Sequence, residues 1–169
     1  MDSRFDSPSP EHTQGVARAL SGVISSFGLV VVLTGPLGAG KTVFVKGLAE
    51  GLGIDPAAVT SPTFAICSEY DTGSDRRFVH VDCYRIESVA ELENAGLLDW
   101  LEPGALVAVE WGERFVSALP ADHLEVTIER PTVESVDPSQ RRLNAVASGP
   151  VSAAALAAWR ERLGPKGPT

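Results

Sequence analysis

Apolar residues recur along this chain with two different periods, and their alternation lays out a sheet flanked by helices. Val16, Leu20, Val23, Ile24 and Phe27 fall at helical spacing, which predicts an amphipathic helix closed by Gly28. Leu29–Thr34 (LVVVLT) is then a continuous apolar run, the pattern of a strand buried on both faces. Further on, Phe44, Leu48 and Leu52 share a helical face, with Gly53 at its end. Phe64–Tyr70 and Phe78–Cys83 read as strands separated by the turn-rich DTGSDR, a candidate hairpin. Ser88 and Glu91 form a capping-box pattern that opens a short helix, ended by Gly96. Ala105–Glu110 is another buried strand, and the alternating Leu124–Glu129 and Arg142–Ala147 predict strands at the sheet edges. Leu156, Trp159 and Leu163 mark a C-terminal helix. Residues 1–9 and 164–169 read as flexible tails around one domain, residues 10–163. The expected fold class is α/β, a mixed and mostly parallel sheet flanked by helices.

Length and composition agree with that layout. A chain of 169 residues suits one domain, and its 44% hydrophobic and 21% charged content is ordinary for a protein with a sizeable core. No apolar run approaches the ~20 residues of a membrane span, and the start MDSRFDSPSP lacks the pattern of a signal peptide. Two cysteines, Cys67 and Cys83, without metal-ligand spacing fit a reducing cytoplasm and read as small buried hydrophobes. The net charge of −8 argues against tight direct binding of DNA or RNA, where lysine and arginine neutralise phosphates. Between Ile86 and Glu113 there are seven acids and no Lys or Arg. Most of that run reads as a solvated face, with a metal-binding acid or a docking face for a basic partner as the sharper reading.

The interruption after Leu29–Thr34 carries the chemistry. Gly35-Pro36-Leu37-Gly38-Ala39-Gly40-Lys41-Thr42 matches G-x-x-x-x-G-K-[ST], lying between a buried strand and a helix. The glycines let successive backbone N–H groups face one concavity, and the following helix adds the positive end of its dipole. Lys41 is expected to reach the β- and γ-phosphates and Thr42 to ligate magnesium, which makes the chain a single P-loop NTPase domain. Such a loop needs a carboxylate for the metal, and two acids stand directly after apolar strand residues: Asp82 and Glu110. No Asn/Thr-Lys-x-Asp segment surrounds any of the three lysines, which favours ATP over GTP.

Other polar residues say less by themselves. His80 lies inside a strand pattern, where a structural histidine is the ordinary reading. Trp100 and Trp159 read as core, while the position of Trp111 beside Glu110 suits either core packing or nucleotide contact. Arg85 could meet a phosphate or a carboxylate, and spacing does not choose.

Four segments together carry a resemblance. GPLGAGKT, then VTSPTF (Val59–Phe64), HVDCYRI (His80–Ile86) and VEWGE (Val109–Glu113) resemble, in order and spacing, the motifs of the TsaE family, formerly YjeE. The likeness runs from about Glu11 to about Leu119. It implies a small Mg2+-dependent ATPase, cycling between ATP and ADP, required for threonylcarbamoyladenosine formation beside the anticodon of tRNAs reading codons that begin with A. The implied partners are the proteins TsaD, the transferase, and TsaB, its companion, with tRNA contacted at most indirectly. By the same resemblance, Asp82 and Glu110 stand at the metal and the attacking water, Ser61-Pro62-Thr63 match a switch-like loop, Trp111 lies beside the nucleotide, Thr13 is the N-terminal threonine near it, and His80 gains weight over its structural reading because it falls in the family's motif. Pro36 stands where many members have Asp and Gly112 where many have Pro. Neither change removes a phosphate or metal ligand. No arginine finger is evident, so slow hydrolysis is expected from the isolated chain. A small-molecule kinase and a non-catalytic ATP-sensing adaptor are the alternative uses of the same loop.

Overall fold

The computed structural model describes residues 2–24, 28–74, 76–131 and 137–164. Its elements run β1 (Asp2–Ser7), α1 (Pro10–Ser21), β2 (Leu29–Thr34), α2 (Lys41–Gly51), β3 (Cys67–Asp71), β4 (Arg77–Asp82), α3 (Val89–Asn94), α4 (Leu97–Trp100), β5 (Leu106–Glu110), β6 (Leu124–Glu129), β7 (Arg141–Ala147) and α5 (Pro150–Leu163), with 3-10 turns at Pro56–Ala58 and Gly112–Ala118. One seven-stranded sheet has the order β1-β7-β6-β2-β5-β4-β3.

The parallel centre of that sheet is β6-β2-β5-β4, and β3 and β7 run against it. β1 pairs antiparallel with β7 and so points the same way as the centre. The strands expected over Leu124–Glu129 and Arg142–Ala147 are present but interior. Their alternating pattern arises because the outer sheet has one well-covered face, while the edges are β1 and β3. Residues 2–7 are likewise a strand rather than a loose tail, held by the pairing of Phe5 with Leu143 and its neighbours.

The continuous apolar runs sit where such runs belong, in β2 and β5, every residue of which is buried. Their alternate side chains build two cores. Val31 and Leu33 face α1, α2 and α5, while Val30 and Val32 face the side closed by Ile86, Leu92, Leu97 and Trp100. Each fully buried Val or Leu of this kind contributes about 1.5–3 kcal/mol relative to exposure. Trp159 in α5 ties the first core together. Its ring centroid is 4.5 Å from that of Phe5 and 6.1 Å from that of Phe44, and its indole N–H donates to Val16 O at 2.8 Å. α1 ends at Ser21, before Val23 and Ile24, and Phe27 lies outside the described residues, as do 165–169 of the expected tail. α1 packs so closely on α2 that a Cβ on Gly47 would lie 2.1 Å from Gln14 O.

The expected hairpin is present as β3–β4, although β3 starts at Cys67 rather than at Phe64. Ser88 accepts from Glu91 N at 3.2 Å and opens α3, while the Glu91 carboxylate returns to Glu87 N rather than to Ser88 N. No helix among the described residues is long and apolar enough to cross a membrane.

Candidate functional site

Three adjacent parallel strands end level at one edge of the sheet. Leu33 of β2 is opposite Glu110 of β5, and Glu110 is opposite Asp82 of β4. The chain leaves β2 through the loop Gly35–Gly40 and enters α2 at Lys41. In an open α/β sheet this end of the strands is where ligands bind, and it gathers both candidate carboxylates beside the loop.

The glycines of the loop are required by its path. Gly35, Gly38 and Gly40 have φ of 129°, 73° and 109°, and a Cβ on Gly35 would lie 2.2 Å from Ile128 O. Lys41 is buried, with 5% of its surface exposed, and its ammonium donates to Gly35 O at 2.7 Å and Pro36 O at 3.1 Å. The same ammonium lies 3.6 Å from the centroid of the Trp111 ring. Burial lowers the Lys41 pKa, and the charges of Glu110, Glu113 and Asp82 work in the opposite direction.

Thr42 donates its hydroxyl to Glu110 Oε1 at 2.8 Å, and His80 Nε2 meets the same oxygen at 2.9 Å. Asp82 is engaged from the other side. Its Oδ2 accepts from Ser61 Oγ at 2.6 Å and Thr63 Oγ1 at 2.8 Å, and its Oδ1 accepts from Tyr84 N at 2.9 Å. The loop 61–66 is therefore fastened to the strand-end acid. It closes on Ile66, whose φ is 67°, an uncommon value for a β-branched residue. Trp111 has φ 61° and is the only other non-glycine residue at positive φ among those described. Such strain costs about 1–3 kcal/mol and collects at functional sites.

The residues present fit a magnesium-bound polyphosphate. Lys41 bonds the carbonyls of Gly35 and Pro36 in its own loop, acceptors that phosphate oxygens would replace. Among the described residues no three His, Cys, Asp or Glu side chains could hold a metal by themselves. Mg2+ uses one or two carboxylates together with phosphate oxygens and water. Thr42, Asp82 and Glu110 are the donors available for it.

Comparison with known proteins identifies the family. The profile of "Threonylcarbamoyl adenosine biosynthesis protein TsaE" matches residues 7–142. The chain belongs to the TsaE family. A Bacillus subtilis (strain 168) relative named "tRNA threonylcarbamoyladenosine biosynthesis protein TsaE" is 41% identical over 121 residues, covering 72% of this chain and 73% of its own. A Streptomyces coelicolor protein of the same name is 42% identical over 112 residues, covering 65% and 74%. The crystal structure of Bacillus subtilis YdiB superposes with a TM-score of 0.71 at 28% identity, covering 95% of both chains. The architecture fits the P-loop NTPase fold.

Within this TsaE chain, the loop residues Gly35–Thr42, Thr63, Asp82, Glu110 and Trp111 come together at one strand edge. Thr13 lies in α1. It is buried, and its hydroxyl is bonded to Ser7 Oγ at 2.8 Å and to Ser9 O at 3.3 Å. Trp100 and Trp159 are core residues as expected, and Trp111 is only half-buried, in contact with the Lys41 ammonium and with the tilted ring of Tyr84. Arg85 lies 4.2 Å over the ring of exposed Phe64. Cys83 is buried and Cys67 half-buried, and both thiols are pushed up to about 12, first by burial. The run of acids is partly met by an arginine from outside it, since Arg77 of β4 bridges Glu69 and Glu102.

Two arginines beside the loop were missed in the sequence. Arg141, at the start of β7, donates to Ala39 O at 2.7 Å and to Gly38 O at 3.4 Å. Arg130 reaches within 3.9 Å of a Cβ placed on Gly38. Burial, and then the Arg130 charge, lower the Arg141 pKa. No spacing rule links residues 130 and 141 to residues 38–40. The β6–β7 antiparallel pair beside β2 brings them there.

Proposed function

We propose that this chain is a slow, magnesium-dependent cytoplasmic ATPase that serves threonylcarbamoyladenosine formation beside the anticodon of tRNAs reading codons that begin with A. It works with the TsaB–TsaD transferase pair. The tRNA role is supported by membership of the TsaE family and by the names its relatives carry. The net charge of −8 supports action through protein partners, with tRNA contacted indirectly.

The observation that carries the ATPase reading is the bond from Thr42 Oγ1 to Glu110 Oε1. It joins the loop's threonine to the acid that ends the neighbouring strand, the pair expected to share a metal. Lys41 would exchange the carbonyls of Gly35 and Pro36 for phosphate oxygens. Asp82 and Glu110, aligned in register, would hold the attacking water in line. Bound magnesium would supply neutralisation of phosphate charge. Arg141 is turned to loop carbonyls, which supports a low rate for the isolated chain and a site completed by its partners.

The test is ATP hydrolysis by the purified protein, alone and with TsaB and TsaD, with Lys41→Ala as the blank. The expected result is slow turnover that the pair stimulates. No hydrolysis above the blank would sink the ATPase reading, and hydrolysis indifferent to active partners would sink the partnership. A phosphorylated metabolite formed at the rate of ATP loss would replace both with a kinase.

A further inference from the structure

We propose that His80 is the positioning residue that holds the Glu110 carboxylate once the loop is loaded with nucleotide and metal, an inference that rests on the ATPase reading above. His80 sits in β4 opposite Ala108 of β5, so Glu110 is its diagonal neighbour two residues along the adjacent strand. Diagonal partners on one face of a sheet lie within reach of long side chains, and His80 Nε2 meets Glu110 Oε1 at 2.9 Å.

His80 has no exposed surface, and its Nδ1 is buried with no hydrogen-bond partner among the described residues. A buried polar atom left unpaired is costly, and its survival at a site calls for a reason. With a carboxylate oxygen as its acceptor, Nε2 carries a proton toward Glu110, while Nδ1 makes no bond among the described residues. A phenylalanine or leucine would fill that place on the strand without an orphaned nitrogen. What it would not supply is a donor aimed at Glu110.

The second bond to Glu110 Oε1 comes from Thr42. Thr42 is also the loop hydroxyl expected to turn to magnesium, and when it does, Glu110 loses that donor. His80 is then what remains to fix the carboxylate, because it stands on a strand and does not move with the loop. Its importance therefore falls on the loaded state. Removing a group that orients a metal-binding ligand reduces metal affinity or activity by about 10- to 100-fold.

The experiment compares His80→Gln, His80→Asn and His80→Phe with the wild type. A glutamine places an N–H near the position of Nε2, whereas asparagine draws it back by one carbon. The readouts are calorimetric titration of Mg2+ into the ADP-bound protein, ADP affinity without metal, and kcat against KM for ATP. The expected result is that His80→Asn and His80→Phe lose about 10-fold or more in Mg2+ affinity and in kcat, with KM and metal-free ADP affinity unchanged, while His80→Gln keeps most of both. A folded His80→Asn or His80→Phe with wild-type Mg2+ affinity would overturn the proposal. So would a folded His80→Gln as impaired as His80→Asn, since the role would then be packing. Should His80→Phe fail to fold, the contrast between Gln and Asn decides by itself. A wild type that binds Mg2+ and ADP without hydrolysing ATP would count against the ATPase reading, and the Mg2+ titration would still judge His80.

Discussion

The ammonium of Lys41 lies 3.6 Å from the centre of the Trp111 ring while donating to the carbonyls of Gly35 and Pro36. One side chain thus links the first turn of α2, the phosphate-loop backbone and the residue following β5. A bound polyphosphate would draw that ammonium away from the ring, where a cation–π contact of this kind contributes about 0.5–2 kcal/mol.

Adding ADP should therefore change tryptophan fluorescence through Trp111, because Trp100 and Trp159 are buried in the two cores. The expected change is absent in Trp111→Phe and in Lys41→Ala. An undiminished signal from Trp111→Phe would place the response in a core tryptophan and remove Trp111 from the nucleotide site.

Asp82 and Glu110 end neighbouring strands in register, yet different groups hold them. Asp82→Asn and Glu110→Gln should each lower ATP turnover about 100-fold or more, the range for losing a group that positions or activates water. Ser61→Ala should cost less than either, since Thr63 still donates to Asp82 Oδ2. Steady-state hydrolysis rates check the order, and a Ser61→Ala defect as deep as that of Asp82→Asn would contradict it.

Arg141 holds the outer side of the loop by donating to Ala39 O and Gly38 O. Charge-assisted hydrogen bonds contribute about 1.5–3 kcal/mol, so Arg141→Ala should weaken ADP binding about 10-fold. Arg141→Lys should not restore it, because an ammonium cannot reproduce the guanidinium fork. Calorimetric affinities for the three proteins provide the check.

Gly149, the N-cap of α5, has no side chain to cap the helix, and Asp122 takes that place from the loop before β6. Its two carboxylate oxygens accept from Val151 N at 2.7 Å and Ser152 N at 2.9 Å. Burial raises the Asp122 pKa, but the bonds from Ser152 and Val151 outweigh it and hold the carboxyl below its ordinary value. A depressed folded pKa adds stability above the unfolded value, near pH 4, and that stability is lost as pH falls through the folded value. Asp122→Ala should cost about 1 kcal/mol at neutral pH, and the gap to the wild type should close in acid. Urea unfolding across pH measures both.

Trp159→Phe should destabilise the chain by about 1–3 kcal/mol, combining the lost bond to Val16 O with a smaller ring in a full core. The urea midpoint should fall while ADP affinity stays near wild type, since Trp159 is fully buried in the core and bonds a backbone carbonyl of α1.

Much of this was legible along the chain, for local reasons. Short continuous apolar runs rich in β-branched residues favour strands covered on both faces, so β2 and β5 could be placed from sequence. Glycines followed by Lys41 and Thr42 between a buried strand and a helix specify a phosphate loop, and an acid after four apolar strand residues marks a strand's open end. That pattern named Asp82 and Glu110, and family resemblance then added Trp111's place beside the nucleotide and the Ser61–Thr63 loop. What tertiary structure decided depends on pairing between distant segments, which no local period encodes. β1 is a strand because β7 offers it an edge, and the two alternating strands expected at the edges are interior for the same reason. Arg141 reaches the loop, Asp122 caps α5 and His80 meets Glu110 because strand order and register set them side by side. The chain determines its elements through local propensity, and the sheet determines which of their polar side chains can meet.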